Sequence, residues 1–594
     1  MNKQINPHSF HIPVMGLGFT IDSPIKVAHY GISSVLALLD DTLLEKMREF
    51  YCKKLNRAFE PIESLEDDYR AKRITAYLDI LDIIVNNNFA DLIQKSYLPN
   101  SESDKYADML PEGSLLKSEY YKVKASGNSE LIIEWVANNF VKGSIDVNIM
   151  TRVDKENYKK AEKLPSEYND AHAALRGFAN STVCSSVVLS SGLNPRLFSY
   201  FEKLKGFLPD SNGVLKKKVI IKVSDYRSAF VQGKILANKG IWVSEYRIES
   251  GLNCGGHAFA TQGYLMGPIL EEFKKNKESL ISTLHELYSK ALKDKNIPCP
   301  SEPYEMLITA QGGVGTHEEH EFLLKNYNLN SIGWGTPFLL VPEATNVDEV
   351  TLQLLSDATE DDLYLSDISP LGIPFNNLRG NTKDVEKYKI IAQGEPGSIC
   401  TKRYSTLSKE FSEKGICMGS KQFQTEKVNQ LKAQNLSEEK FNEEFTKITN
   451  KACICVGLGV SALIVNNIDI HPSEGEGVSV CPGPNMAYFS GVHTLKGMID
   501  HIYGRKNIIT RTDRPNMFIK ELDMYISYLK DKVKEVDGQF AEKQKEYYQL
   551  FHKNLEEGIQ YYKELFNEFV DNFNYTIFNE LEMHHLRLQA IEIK

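Results

Sequence analysis

Three groups of residues in this 594-residue chain have types and spacings suited to chemistry. The first is Cys254-Gly255-Gly256-His257. Paired glycines let a backbone come close to a bound group, and an imidazole, with an ordinary pKa of about 6.5, can take or return a proton at neutral pH. Cys254 adds a thiol that can tune redox chemistry or stay an inert, buried group. The second group is Ile308-Thr309-Ala310-Gln311-Gly312-Gly313-Val314-Gly315-Thr316, followed after one helix by Ser331-Ile332-Gly333-Trp334-Gly335-Thr336-Pro337-Phe338. Each reads as a strand opening into a glycine turn, and the pair of turns has the bare N–H groups and helix start that hold a phosphate. The third group is Cys400, Cys417, Cys453, Cys455 and Cys481, five of the nine cysteines, each near glycine or proline. About four thiolates hold an iron-sulfur cluster. The spacings match no ferredoxin pattern, so buried thiols are the plain alternative.

The elements that must position these groups alternate. Ile12 to Phe19 reads as a strand entering a glycine loop, Pro24 to Tyr30 as a short helix and Ile32 to Leu39 as a second strand. Apolar runs follow at Ile145 to Met150, Ser186 to Ser190, Val219 to Val223 and Gly240 to Ser244, each before a polar or helical stretch. With the two strands of the paired turns the count reaches eight, and strand-helix alternation predicts a parallel sheet closed as a (β/α)8 TIM barrel over 1–41 and 140–380. Residues 42–139 form a helical insertion, too long for a simple crossover. A C-terminal extension follows, cysteine-rich over 381–510 and helical over 511–594. Tyr547, Tyr548, Phe551, Leu555, Ile559, Tyr562 and Leu565 recur mostly at three- and four-residue intervals, an apolar stripe for packing on the chain itself or for a homo-oligomer. Thr316 and Glu319 have capping-box spacing, which reads as a solvated first helical turn, and His317 and His320 are three apart where the zinc-protease motif needs four.

Composition excludes some classes. A net charge of −10 offers no broad basic surface for nucleic acid, and 42% hydrophobic with 10% aromatic residues marks a folded chain. No apolar run approaches the roughly 18 residues of a membrane span, and an odd number of scattered cysteines fits reduced thiols, so a cytoplasmic protein with a small-molecule substrate is expected.

The order of motifs resembles the flavin-dependent nitronate monooxygenase family, formerly 2-nitropropane dioxygenases, and the related FMN-dependent enoyl-ACP reductases. Five places carry the likeness: Met15 to Gly18, Val147-Asn148-Ile149-Met150, Ser190-Ser191-Gly192-Leu193-Asn194-Pro195, Glu249 to His257, and the paired turns. They span about residues 10 to 380 and leave out 42–139 and the extension. The resemblance implies an FMN over Met15, Gly16 and Asn148, approached by Gly255 and Gly256, with its phosphate at Gly312, Gly313, Gly315, Gly335 and Thr336 and with His257 as acid or base. Where the family has glutamine and arginine around the last glycine, this chain has Gly333 and Pro337. An oxidative nitronate-consuming enzyme and an NAD(P)H-dependent enoyl-thioester reductase share this barrel, and the extension also fits a flavin or iron-sulfur subunit of a larger assembly. For a lyase or aldolase without flavin, Lys222 is the nearest lysine to a strand end.

Overall fold

The computed structural model describes residues 6–593 apart from Lys160, Ser191, Thr510, 536–540 and 574–575. Eight parallel strands form the barrel: β1 Phe10–His11, β2 Ser34–Ala37, β3 Ile145–Ile149, β4 Ser186–Leu189, β5 Lys218–Val223, β6 Val243–Glu249, β7 Leu307–Gln311 and β8 Ser331–Gly333. Each pairs in parallel with the next in chain order from β2 to β8, and β1 pairs with β8. The bridge between Ile12 and Ser34 closes the ring between β1 and β2. Five helices, from Asp41–Lys54 to Ser129–Asn139, lie between β2 and β3.

Period two divides each strand between two environments. Val187, Leu189, Val219 and Ile221 join the main core beneath the helices, whereas Val35, Val188 and Ile220 form a separate small cluster on the opposite face, inside the ring. Both faces of β4 and β5 are buried, hence their near-continuous β-branched composition. β6 departs from that rule and from the expected strand at Gly240 to Ser244. Gly240 sits in a turn at φ +75°. The strand begins at Val243 and carries Glu245 and Arg247 inward, paired with each other at 2.8 Å, with Thr309 Oγ1 donating to Glu245 Oε1 at 2.6 Å. Charged residues inside a barrel strand hid its true span.

The extension wraps the barrel. β9 Leu363–Ser366 and β10 Phe375–Leu378 form a hairpin, and β10 also bridges to His257. The helix Ile454–Val465 is apolar on every side because from Ile454 to Leu463 every residue is buried. Its Leu458 carbonyl accepts the N–H groups of Leu17 and Gly18 at 3.0 and 2.8 Å, and a Cβ on Gly18 would fall 2.5 Å from the Gly459 oxygen. No single helix among the described residues is long and apolar enough to cross a membrane. Phe551, Leu555, Ile559, Tyr562 and Leu565 are buried, and Tyr562 OH accepts the Gly267 N–H at 3.2 Å, so the stripe of the terminal helices is filled by the chain itself.

The first turn of the helix His317–Asn326 is not solvated as expected. His320 is fully buried; Trp334 Nε1, which can only donate, gives its proton to His320 Nδ1 at 3.1 Å, so Nε2 carries the ring proton toward Ser9 Oγ at 2.9 Å. His8 is held the same way between Tyr503 OH and the Tyr30 carbonyl. Burial lowers both imidazoles to about 4. The unfolded chain therefore binds more protons between pH 6.5 and 4, and stability falls as the pH drops through that window, by about 2 kcal/mol for each histidine at pH 5. Urea unfolding at pH 7 and pH 5 checks this; an unchanged midpoint would show that neither imidazole must gain a charge on unfolding.

Candidate active site

The strand ends build a polar floor by the same alternation that builds the core. The last inward positions of β2, β3, β5, β6, β7 and β8 are Ala37, Asn148, Lys222, Glu249, Gln311 and Gly333, and all of them line one cavity at the C-terminal end of the barrel. Lys222 Nζ lies 3.1 Å from Glu249 Oε1, which also accepts Gln311 Nε2 at 2.8 Å. Asn148 Oδ1 is buried without a hydrogen-bond partner among the described residues. Only Asn148 and Lys222 of these carried weight in the sequence; the signal for the rest is position, since a polar residue ending a barrel strand on the inward face belongs to the rim.

The loops form the walls. Met15 and Gly16 follow β1, Cys254, Gly255, Gly256 and His257 follow β6, Gly312 and Gly313 follow β7, and Gly335 and Thr336 follow β8; all line the same cavity, so ten of these expected residues, with Asn148, meet in one place. Gly313 shows why glycine is required: its φ is +79°, and a Cβ would fall 2.1 Å from Asn253 Nδ2. Gly256, at φ +80°, has the reverse surroundings, with nothing within 4 Å of a Cβ, and leaves open space beside His257. Gly315 does not line the cavity. Its N–H donates to Glu319 Oε2 at 2.9 Å and its carbonyl accepts from His501 Nε2 at 2.8 Å, so it shapes the β7 turn from behind and has no donor to offer a ligand. Ser191 of the β4 loop lies outside the described residues.

His257 Nε2 is 2.7 Å from Ser369 Oγ, which accepts the Leu371 N–H at 3.2 Å. Burial, then the nearby Lys222 charge, lowers the imidazole to about 4, so it is neutral at pH 7 and acts as an acceptor of protons. The Cys254 thiol is the opposite case. Burial, then Glu249, pushes it well above its usual range, and its Sγ donates to the Gln311 carbonyl at 3.5 Å, a protonated packing group beneath Gly312.

The extension supplies a wall no sequence motif announced. Gly256 N donates to the Cys481 carbonyl at 3.1 Å, Gly483 N donates to Thr336 Oγ1 at 2.9 Å, and Asn485 Nδ2 donates to the Val314 carbonyl at 2.8 Å, so Cys481 to Asn485 straps the β6, β7 and β8 loops together. Arg514 completes the strap: its guanidinium grips both Glu319 oxygens at 2.8 and 2.9 Å and donates to the Gly313 carbonyl at 2.8 Å, with the side chains of both residues nearly buried. The five cysteines expected to hold a metal do not all lie in one place. Cys481 belongs to the cavity while Cys400, Cys417, Cys453 and Cys455 lie elsewhere in the extension, and among the described residues no three histidine, cysteine or acidic side chains converge to hold a metal.

No family model matches the chain, and no curated protein matches it. Among solved structures it is similar to the enoyl reductase domain of MlnA from the macrolactin biosynthesis cluster of Bacillus amyloliquefaciens, at 13% identity over 71% of this chain and 89% of that one, with a TM-score of 0.32. It is also similar to nitroalkane oxidase from Streptomyces ansochromogenes, at 9% identity over 84% of this chain and 96% of that one, with a TM-score of 0.33.

Proposed function

We propose that the chain is an FMN-dependent oxidoreductase acting on a small activated substrate. The observation that carries this reading is the convergence of the β6, β7 and β8 glycine loops on one cavity at the barrel rim where phosphate-bearing ligands are held in this fold. The residues fit the cofactor: Gly256 leaves room that a side chain would fill, and the buried Asn148 Oδ1 has an acceptor to spare for a ring N–H. When bound, FMN supplies hydride or electron exchange, which no side chain here can.

The chain's own residues do the rest. Backbone N–H groups of Gly312, Gly313, Gly335 and Thr336 hold the phosphate. Lys222 stands beside the pair Glu249 and Gln311 at the cavity floor, and burial, then the Lys222 charge, keep His257 unprotonated. His257, with Nε2 engaged by Ser369, takes the substrate proton at Nδ1 while Nε2–H donates to Ser369 Oγ. Phe259, Leu371, Ile373 and Phe375 give the cavity an apolar side that excludes water from that transfer.

Anaerobic mixing of the FMN-loaded protein with a nitronate, and separately with NADPH or NADH, tests this. Bleaching of the flavin band near about 450 nm by the nitronate assigns the monooxygenase-like reaction, and bleaching by a nicotinamide assigns the reductase. A flavin that no reductant of either class bleaches would mark a binding subunit and end the enzyme reading.

A further inference from the structure

The segment between β6 and the helix Met266–Asp294, residues 250–265, carries Asn253 to His257 and Phe259 on the cavity wall, and one buried carboxyl holds both of its ends. Glu521 belongs to the C-terminal helix Met517–Lys534 and is 2% exposed. At the near end of the segment Ser250 Oγ donates to Glu521 Oε1 at 2.5 Å. At the far end Met266 N, the first N–H of its helix, donates to Glu521 Oε2 at 2.8 Å. That helix has Leu265 as its N-cap, which offers no side-chain acceptor, and no acidic residue in its first turn. Its free N–H groups are therefore met from elsewhere in the chain, Met266 by Glu521 and Gly267 by the Tyr562 hydroxyl.

The near-end contact is passed on toward His257. Ser250 Oγ also accepts the Asn253 N–H at 3.1 Å, and Asn253 Nδ2 donates to the Met517 carbonyl at 3.3 Å, at the start of the helix that carries Glu521. Gly251 closes the turn: its carbonyl accepts the Phe259 N–H at 2.8 Å, and a Cβ on it would fall 2.0 Å from the Phe259 oxygen. His257 lies inside the turn so closed, two residues before Phe259. No cation accompanies Glu521 among the described residues, and burial pushes its pKa up to about 7. Burying a carboxyl this deep without a cation costs stability, and an apolar residue would fill the space without that cost. Either form of the carboxyl keeps the bridge. Ionised, it accepts from both ends; protonated, its O–H donates to Ser250 Oγ while the other oxygen still accepts the Met266 N–H.

We propose that Glu521 is a positioning residue of the candidate active site, clamping both ends of the 250–265 segment so that His257 and the Gly255-Gly256 turn face the cavity. The proposal rests on the reading of His257 as the proton acceptor, but the clamp itself needs no flavin. Glu521→Leu fills similar space and accepts nothing, which leaves the Ser250 O–H and the Met266 N–H unpartnered. Glu521→Gln can still donate to Ser250 Oγ through Nε2 and accept from Met266 N through Oε1.

Amide hydrogen exchange of the flavin-free full-length chain, followed by mass spectrometry, tests the clamp. In Glu521→Leu, peptides covering 250–265 should exchange about tenfold faster or more while those covering β5 stay as in the wild type; Ser250→Ala should show the same over 250–259, and Glu521→Gln should stay close to the wild type. In the FMN-loaded protein Glu521→Leu should lower kcat by about 10- to 100-fold with KM changed by about twofold or less, and Glu521→Gln should keep most of the rate. Unchanged exchange in Glu521→Leu, faster exchange with kcat intact, or a Glu521→Gln protein as impaired as Glu521→Leu would each overturn the assignment. Exchange as expected in a chain that binds no FMN would uphold the clamp and count against the flavin reading alone.

Discussion

His257→Gln lowers turnover by about 100-fold or more, the usual contribution of a placed acid-base group, and leaves FMN bound. The amide keeps a hydrogen bond to Ser369 but cannot accept a proton at neutral pH. Because the imidazole is lowered to about 4, the wild-type rate should also stay level from pH 8 down to about pH 5 and fall below that as the ring protonates, whereas an ordinary histidine would lose activity near pH 6.5. Steady-state rates against pH, with the flavin content read from absorbance, check both. An unchanged rate in His257→Gln, or loss of the cofactor with the rate, would remove the residue from the chemistry.

Arg514→Leu has the largest expected effect on stability. It leaves the Glu319 carboxylate buried without a cation while that carboxylate still accepts the Gly315 and Met517 N–H groups at 2.9 and 2.8 Å. Removing one partner of such a pair costs about 3–5 kcal/mol. Adding Glu319→Gln takes away the unpaired charge but keeps an acceptor for those N–H groups, so the double variant should recover part of the loss, and the two changes should be strongly non-additive. Because Arg514 also grips the Gly313 carbonyl, the single variant should release FMN more readily even where it remains folded. Denaturant unfolding of the four proteins of this cycle gives the coupling; additive losses would show that the ion pair does not hold the β7 turn.

The barrel was legible because its signals are local. Apolar runs such as Val219 to Val223 and positive-φ glycines such as Gly312 and Gly313 declare a strand and a turn from a few residues, whereas Met15, Asn148, Gly335 and Thr336 were expected at the site through the family resemblance, and all of them line the cavity. β6 was misplaced because an inward Glu245 and Arg247 look like surface charge until Thr309 and their mutual pairing are seen. The buried first turn of His317–Asn326 was misread for a related reason: Glu319 looks like a capping carboxylate, and its cation comes from Arg514, 195 positions along the chain. The strap at Cys481 to Asn485 and the thiols of the extension depend on long-range packing alone. Proximity in sequence grouped five cysteines, but the fold sends Cys481 to the cavity.

The central claim is that main-chain donors at the β7 and β8 turns grip the phosphate of a flavin nucleotide. Fluorescence titration of flavin-free protein with FMN and with riboflavin tests it most directly. Two or three charge-assisted hydrogen bonds to the phosphate should make FMN bind about 100-fold more tightly or better than riboflavin. Equal affinity for the two, or no binding of either, would contradict the account.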